Sequence, residues 1–212
     1  MSSLAIHPLG EAALCLSLPA PVSLEQQQRI WQLAGSLAQR AGVQSLIPGM
    51  NNLTLTFDPL STEAAALEQA VLALWAKPAR RQQLGRLVEI PVRYDGPDLA
   101  DVAAHCGLSP EEVIRRHSAV EYVVYFIGFQ PGFAYLGGLD ETLHTPRRAE
   151  PRVTVPAGSV GIGGAQTGIY PLATPGGWQL IGRTALPLFD PRAEPPTLLA
   201  PGDRVRFVVE AA

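Results

Sequence analysis

FIGFQPGFAYLGGL, residues 126–139, and TPRRAEPRVTVPAGSVGIGGAQTGIYPLATPGGWQLIGRTALP, residues 145–187, together hold twelve of the chain's twenty glycines. Glycine allows positive φ and close backbone approach at a cost in chain entropy. So many glycines between short apolar runs predict tight turns, bulges and a walled pocket. A flexible linker would share the glycine content but not the interleaved Phe129, Phe133, Tyr135, Tyr170 and Trp178. The runs around them (Val120–Ile127, Val153, Val160, Gly168–Tyr170, Trp178–Ile181, Leu186–Phe189 and Val205–Val209) are short and punctuated by Gly or Pro, the pattern of a closed or sandwich-like β architecture. Two short helices precede them, Pro97–Cys106 ended by Gly107 and Pro110–His117 opened by Ser109 with Glu112 completing a capping box. The pattern predicts a β-barrel over residues 86–212, with these helices covering one end.

Upstream, residues 1–85 read as a small α+β unit. A first strand is expected within Leu4–Leu18, centred on Ala13–Leu16. Ser23 and Gln26 form a capping box before the helical spacing of Ile30, Leu33, Leu37 and Ala41, with Gly42 as the expected C-terminal cap. Asn51–Phe57 alternates as a half-buried strand, and a second helix spans about Thr62–Ala76, stopped by Pro78. Arg80, Arg81, Gln82 and Gln83 form a polar joint between the units.

Bulk properties narrow the function. The 212 residues carry a net charge of −3 with 47% hydrophobic residues, which leaves no electrostatic footprint for nucleic acid. No apolar run is long enough to span a membrane, the amino end lacks a basic segment before its apolar stretch, and Cys15 and Cys106 form no disulfide framework; a cytoplasmic protein is expected. There is no phosphate-binding G-x-x-x-x-G-K-[ST] loop, and Gln166 breaks G-x-G-x-x-G after Gly161 and Gly163. His7, His105, His117 and His144 are too scattered to predict a metal site, and Ser159 lacks the nucleophile-elbow pattern. Residues 101–117 resemble a helix-turn-helix, but its second helix opens with Glu111 and Glu112, which would face phosphates, so a helical hairpin over the barrel is the expected reading.

The blocks GFQPGFAYLGGL (128–139), TPRRAEPRVTVPAGSVGIGGAQTGIYP (145–171), PGGWQLIGRT (175–184) and LFDPRAEPPTLLAPGDRVRFV (188–208) resemble one family. It comprises the B subunit of bacterial 5-oxoprolinase, the sporulation histidine-kinase inhibitor and proteins labelled allophanate hydrolase subunit 1. Ala134 stands where the family more usually has proline. The resemblance implies an α+β amino-terminal domain followed by a mainly-β cyclophilin-like barrel. It also implies one subunit of an ATP-dependent 5-oxoprolinase, inactive alone, that opens 5-oxoproline (pyroglutamate) to glutamate with the A and C subunits; ATP and its Mg²⁺ are bound by or shared with those partners. Inhibition of a sensor histidine kinase through its dimerisation helices, or a carboxyltransferase-like role with urea, are the alternatives.

Lactam opening needs a cation for the substrate carboxylate and the phosphoryl charge. Arg183 is the first candidate, because guanidinium binds such groups in a bidentate fork. Gln166 and Tyr170 are candidates to hold the lactam amide, and backbone N–H groups at Gly163 and Gly164 to receive an oxyanion. Phe129, Phe133 and Trp178 are candidates for the apolar wall. Arg147, Arg148 and Arg152 are weaker candidates for the same role and read first as a solvated or partner-facing cluster. A core position for Tyr170 and Trp178, and a carboxylate partner for Arg183, stand as alternatives.

Overall fold

The computed structural model describes residues 4–79 and 83–210, and the chain divides into two compact units, Met1–Gln83 and Leu84–Ala212. Of the expected polar joint, Arg80, Arg81 and Gln82 lie outside the described residues, as does the Met1–Ser3 end. Among the described residues no helix is long and apolar enough to cross a membrane.

In the first unit, β1 (Ala5–Pro8), β2 (Ala13–Ser17), β3 (Val43–Gly49) and β4 (Asn52–Phe57) form an antiparallel sheet in the order β1-β2-β4-β3. The single expected strand over residues 4–18 is thus a hairpin, turning at Gly10 with φ +65°. Leu14 and Leu16 on β2 and Leu53, Leu55 and Phe57 on β4 alternate inward, onto Ile30, Leu33 and Leu37 of α1 (Leu24–Leu37) and Leu67 and Val71 of α2 (Ala64–Trp75). Ser23 caps α1 by accepting from the Gln26 amide. That helix ends at Ala38, so Gly42, at φ +84°, turns the chain into β3 instead of capping α1.

The second unit is a seven-stranded sheet. It contains β5 (Leu87–Val92), β6 (Glu121–Ile127), β7 (Ala134–Gly137), β9 (Ser159–Gly163), β10 (Gln166–Ile169), β12 (Gln179–Arg183) and β13 (Arg204–Val209), in the order β12-β9-β10-β7-β6-β13-β5. Its outer edges meet: Arg93 and Arg183 exchange two backbone hydrogen bonds of 2.9 Å, and the Asp98 amide donates to the Leu180 carbonyl at 2.9 Å. The sheet is therefore a nearly closed barrel, which leaves few unpaired edge groups. Gly96 lets the seam close, because a Cβ there would stand 2.4 Å from the Leu180 carbonyl oxygen. A two-stranded ribbon of β8 (Arg152–Val155) and β11 (Thr174–Gly176) completes the strands. Neither β7 nor β11 was anticipated, and Leu186–Phe189 is not a strand but an irregular segment joined to Thr197 by one bridge at Phe189.

Helices α3 (Leu99–Cys106) and α4 (Pro110–Ser118) pack Val102, Ala103 and Val113 into the barrel core with Ile90, Val124, Leu136, Ile162 and Phe207. Ser109 caps α4 through the Glu112 amide, but the Glu112 carboxylate does not return to the cap. It bonds Arg115 and Arg116 at 2.7 Å, which holds its pKa down at about 2.

His117 is fully buried at the end of α4. Thr167 Oγ1 donates to the Gly161 carbonyl, so it must accept from His117 Nε2 at 2.9 Å; His117 Nδ1 then accepts from the Tyr94 hydroxyl at 2.7 Å. Phe207 stacks on the imidazole at 4.6 Å. Burial lowers the His117 pKa to about 3, so the ring stays neutral in the folded state. Between about pH 6.5 and pH 3 the unfolded chain binds a proton that the folded chain refuses, so stability is full above this window and falls as pH falls through it. We expect urea unfolding to show this loss with a slope of up to about 1.4 kcal/mol per pH unit from this group. His117→Gln should be less stable at pH 7 yet show a shallower decline toward pH 4.

Candidate functional site

Alternation along the strands gives the barrel wall two faces. Val160, Ile162, Thr167 and Ile169 point to the interior, where Thr167 meets His117. Residues of opposite parity, Gly161, Gly163, Gly168 and Tyr170, point outward with Phe133 and Tyr135 of the adjacent segment. On this outer face the indole of Trp178 lies flat against backbone: a Cβ at Gly163 would sit 2.5 Å from its Nε1, and one at Gly168 3.2 Å from its ring. Phe133 is the hub of an aromatic layer, with Tyr135 at 4.8 Å, Tyr170 at 5.1 Å, Trp178 at 5.4 Å and Phe129 at 5.5 Å. Val155 of the ribbon and Leu180 cover it.

The expected residues separate into groups. Phe133, Tyr170 and Trp178 come together, but as a packed layer no more than 5% exposed, so they are a rigid floor and not the surface a ligand touches first. Phe129 is the member that reaches solvent, 61% exposed, with its backbone in the left-handed region at φ +65°. A bulky residue held in this conformation costs free energy that the surrounding structure must offset, a feature concentrated at functional sites. Gln166 shares the outward parity of Gly168 and Tyr170 and is half-buried. The backbone cradle at Gly163 and Gly164 is not free: the indole covers Gly163, and the Gly164 amide donates to the Thr145 carbonyl at 2.7 Å.

Arg183 does not join this group. Its guanidinium pairs with Asp95 at 2.9 Å beside the barrel seam, where Arg93 contacts the same carboxylate oxygen at 2.9 Å. The arginines at the aromatic layer are instead the cluster at 147–152. Arg147 sits 5.9 Å from the Trp178 ring centroid. Arg148 and Arg152 converge on Asp98 Oδ1 at 3.2 and 2.6 Å, and Asp98 Oδ2 accepts from the Leu180 amide at 2.6 Å. Burial raises the Tyr170 pKa, partly offset by the Trp178 amide and by the charges of Arg147 and Arg152; burial also raises that of Tyr135, again opposed by Arg147. Both phenols therefore remain protonated donors at neutral pH.

Asp98 was not among the residues singled out from sequence. It occupies the N-cap position of α3 yet makes no side-chain cap bond, and spends its carboxylate on partners 50, 54 and 82 positions away. An aspartate before a helix reads as an ordinary cap, so no local signal could have found this role.

A crystal structure of the protein designated TTHA0988 matches with a TM-score of 0.83 at 41% identity, covering 94% of this chain and 40% of that one; the chain thus corresponds to less than half of that longer polypeptide. The Kluyveromyces lactis urea carboxylase matches over 99% of this chain and 22% of its own with a TM-score of 0.81, and at 19% identity it shares the fold alone. A domain of the carboxyltransferase type is the class that the family match defines. The chain belongs to the family described as carboxyltransferase domain, subdomain C and D, which matches residues 4–199. A relative from Escherichia coli O157:H7, named as the B subunit of 5-oxoprolinase, is 58% identical over 204 residues, spanning 94% of this chain and 93% of that protein.

Two substitutions probe the layer. Gly163→Ala places a methyl group inside the indole's contact distance and should destabilise the fold by about 1–3 kcal/mol in urea unfolding, with a change in Trp178 fluorescence. Asp98→Asn leaves Arg148 and Arg152 without their carboxylate and should cost about 3–5 kcal/mol, as breaking one side of a buried ion pair does.

Proposed function

We propose that this chain is the B subunit of an ATP-dependent 5-oxoprolinase, working with the A and C subunits to convert 5-oxoproline to L-glutamate. The observation that carries this reading is that relatives 42–58% identical over more than nine-tenths of the chain bear the name of that subunit. The geometry agrees with a subunit that is inactive alone. Its aromatic layer is closed, its exposed members are few, and the outward-facing Phe129 and Leu172 are apolar side chains suited to cover by a second polypeptide.

The chemistry expected of such an assembly begins with amide resonance, which makes a lactam carbonyl a poor electrophile. Transfer of the γ-phosphoryl of ATP to the carbonyl oxygen, with ADP leaving, gives an activated carbon that water attacks. The ring C–N bond then breaks, the nitrogen takes up protons to become the amino group of glutamate, and hydrolysis frees phosphate. This chain's part is positioning. The half-buried Gln166 amide lies on the face that would hold the lactam, and Tyr170 with the glycine-backed indole forms the rigid floor beneath it. With the Gly164 amide committed to Thr145, the chain offers no free backbone cradle there, and we assign ATP and its Mg²⁺ mainly to the partner subunits.

Fold likeness to urea carboxylase is a weaker support for a urea-directed role, since fold does not carry substrate. Docking on a sensor kinase is the remaining alternative, and the same exposed apolar side chains would serve it.

Co-purification with the A and C subunits, followed by measurement of 5-oxoproline-dependent ADP and glutamate, tests the proposal. Glutamate should form only in the assembled complex and only with ATP. A complete complex that consumes no 5-oxoproline would overturn it.

A further inference from the structure

We propose that Arg147 and Arg152, with Asp98 as their positioning residue, form an oxyanion seat at the rim of the aromatic layer. Its ligand is the free carboxylate of the lactam substrate or a phosphate of the nucleotide. This inference rests on the oxoprolinase reading for the identity of the ligand, but not for the existence of the seat.

The first argument is charge. Three arginines, Arg147, Arg148 and Arg152, lie at this rim, and Asp98 answers two of them, Arg148 and Arg152. Among the described residues Glu150 makes no ion pair; it offers Arg148 only its backbone carbonyl, at 3.4 Å. Counting Glu150 with Asp98 against the three guanidiniums, the rim still holds an excess of about one positive charge on a chain whose net charge is −3.

The second argument is how those groups are used. Asp98 is 2% exposed and takes the Arg148 and Arg152 guanidiniums on one oxygen while the Leu180 amide holds the other. Arg152 is thereby fixed through Nη2, and its Nη1 is enclosed without any protein acceptor. An enclosed, unanswered N–H is costly and rare in a folded protein, and a small turn of the Arg152 fork toward the rim would bring it to a ligand oxygen. Arg147 has no carboxylate partner among the described residues; its charge falls on Trp178, Tyr135 and Tyr170. One arginine fixed from behind and one without a carboxylate partner, both at the edge of the aromatic layer, is an arrangement that can grip a planar oxyanion.

Arg148 is the weaker member, because its Nε and Nη1 are both engaged within the chain. Arg183 and Arg93, sharing Asp95, form a separate pair and are not part of the seat.

The experiment follows the indole N–H resonance of Trp178, assigned with Trp178→Phe, in the full-length chain. Titrants are 5-oxoproline, the neutral ring 2-pyrrolidinone, and inorganic phosphate. A seat for carboxylate predicts a saturable shift with 5-oxoproline and binding at least about 10-fold weaker for 2-pyrrolidinone. Arg147→Gln should weaken 5-oxoproline binding by roughly 10-fold or more, Arg147→Lys should restore part of it, and the exposed Arg192→Gln should match the wild type. Arg152→Lys, which keeps the charge while losing the fork, guards against mere unfolding and should still weaken binding. If phosphate shifts the resonance in an Arg147-dependent way and 5-oxoproline does not, the seat holds and its ligand is the nucleotide. If no anion shifts it, or if Arg147→Gln and Arg152→Lys bind as the wild type does, the seat is overturned. The assembled complex separates the two claims. Glutamate formation with unchanged KM for both 5-oxoproline and ATP in the Arg147→Gln, Arg152→Lys double variant overturns the seat and leaves the oxoprolinase reading intact. Anion binding by a chain whose complete complex opens no 5-oxoproline does the reverse.

Discussion

A single buried carboxylate, that of Asp98, ties together three parts of the chain that are remote in sequence. It stands at the start of α3, bonds the Leu180 amide on β12 at the barrel seam, and receives Arg148 and Arg152 from the loop and ribbon that flank the aromatic layer. A charge taken out of water is tolerated only when each of its oxygens is answered, and here both are. The same contacts hold the seam closed beside the Arg93–Arg183 backbone pair and set the arginines against the rings. Closure of the barrel and placement of the cations are thus one electrostatic arrangement.

The aromatic layer depends in turn on glycine. Trp178 lies close to the backbone because Gly161, Gly163 and Gly168 present no side chain on the outer face of β9 and β10. On the inner face the same strands supply Val160, Ile162 and Ile169 to the core. One pair of strands therefore serves two ends: its alternate residues build the barrel, and the gaps between them seat an indole. A chain of this kind gives up some backbone entropy for a flat, rigid surface. The exposed Phe129, held at φ +65°, marks where that surface meets solvent.

Much of the architecture was legible in the order of residues. Alternation named a strand over Asn51–Phe57, observed at Asn52–Phe57, and Ser23 and Ser109 marked the starts of α1 and α4, because these signals act over a few residues. Reading failed where pairing is non-local. The four-residue β7 and three-residue β11 carry too few positions to show a period and exist because a neighbour completes them. Gly42 was misassigned because glycine permits a turn without saying which element it ends.

The candidate site divides along the same line. Residue order determined that aromatic and glycine residues alternate in these strands, which suffices to predict a layered, turn-rich barrel and to single out Phe129, Phe133, Tyr170 and Trp178. It could not determine which arginine stands beside them. Arg183 follows the tryptophan strand closely in sequence, yet its guanidinium turns to Asp95; Arg147 and Arg152 lie some thirty positions away from Trp178 and still reach the rings or their supporting carboxylate. A charged side chain goes where desolvation and an opposite charge leave it lowest in free energy, and those partners are brought together only when the barrel closes.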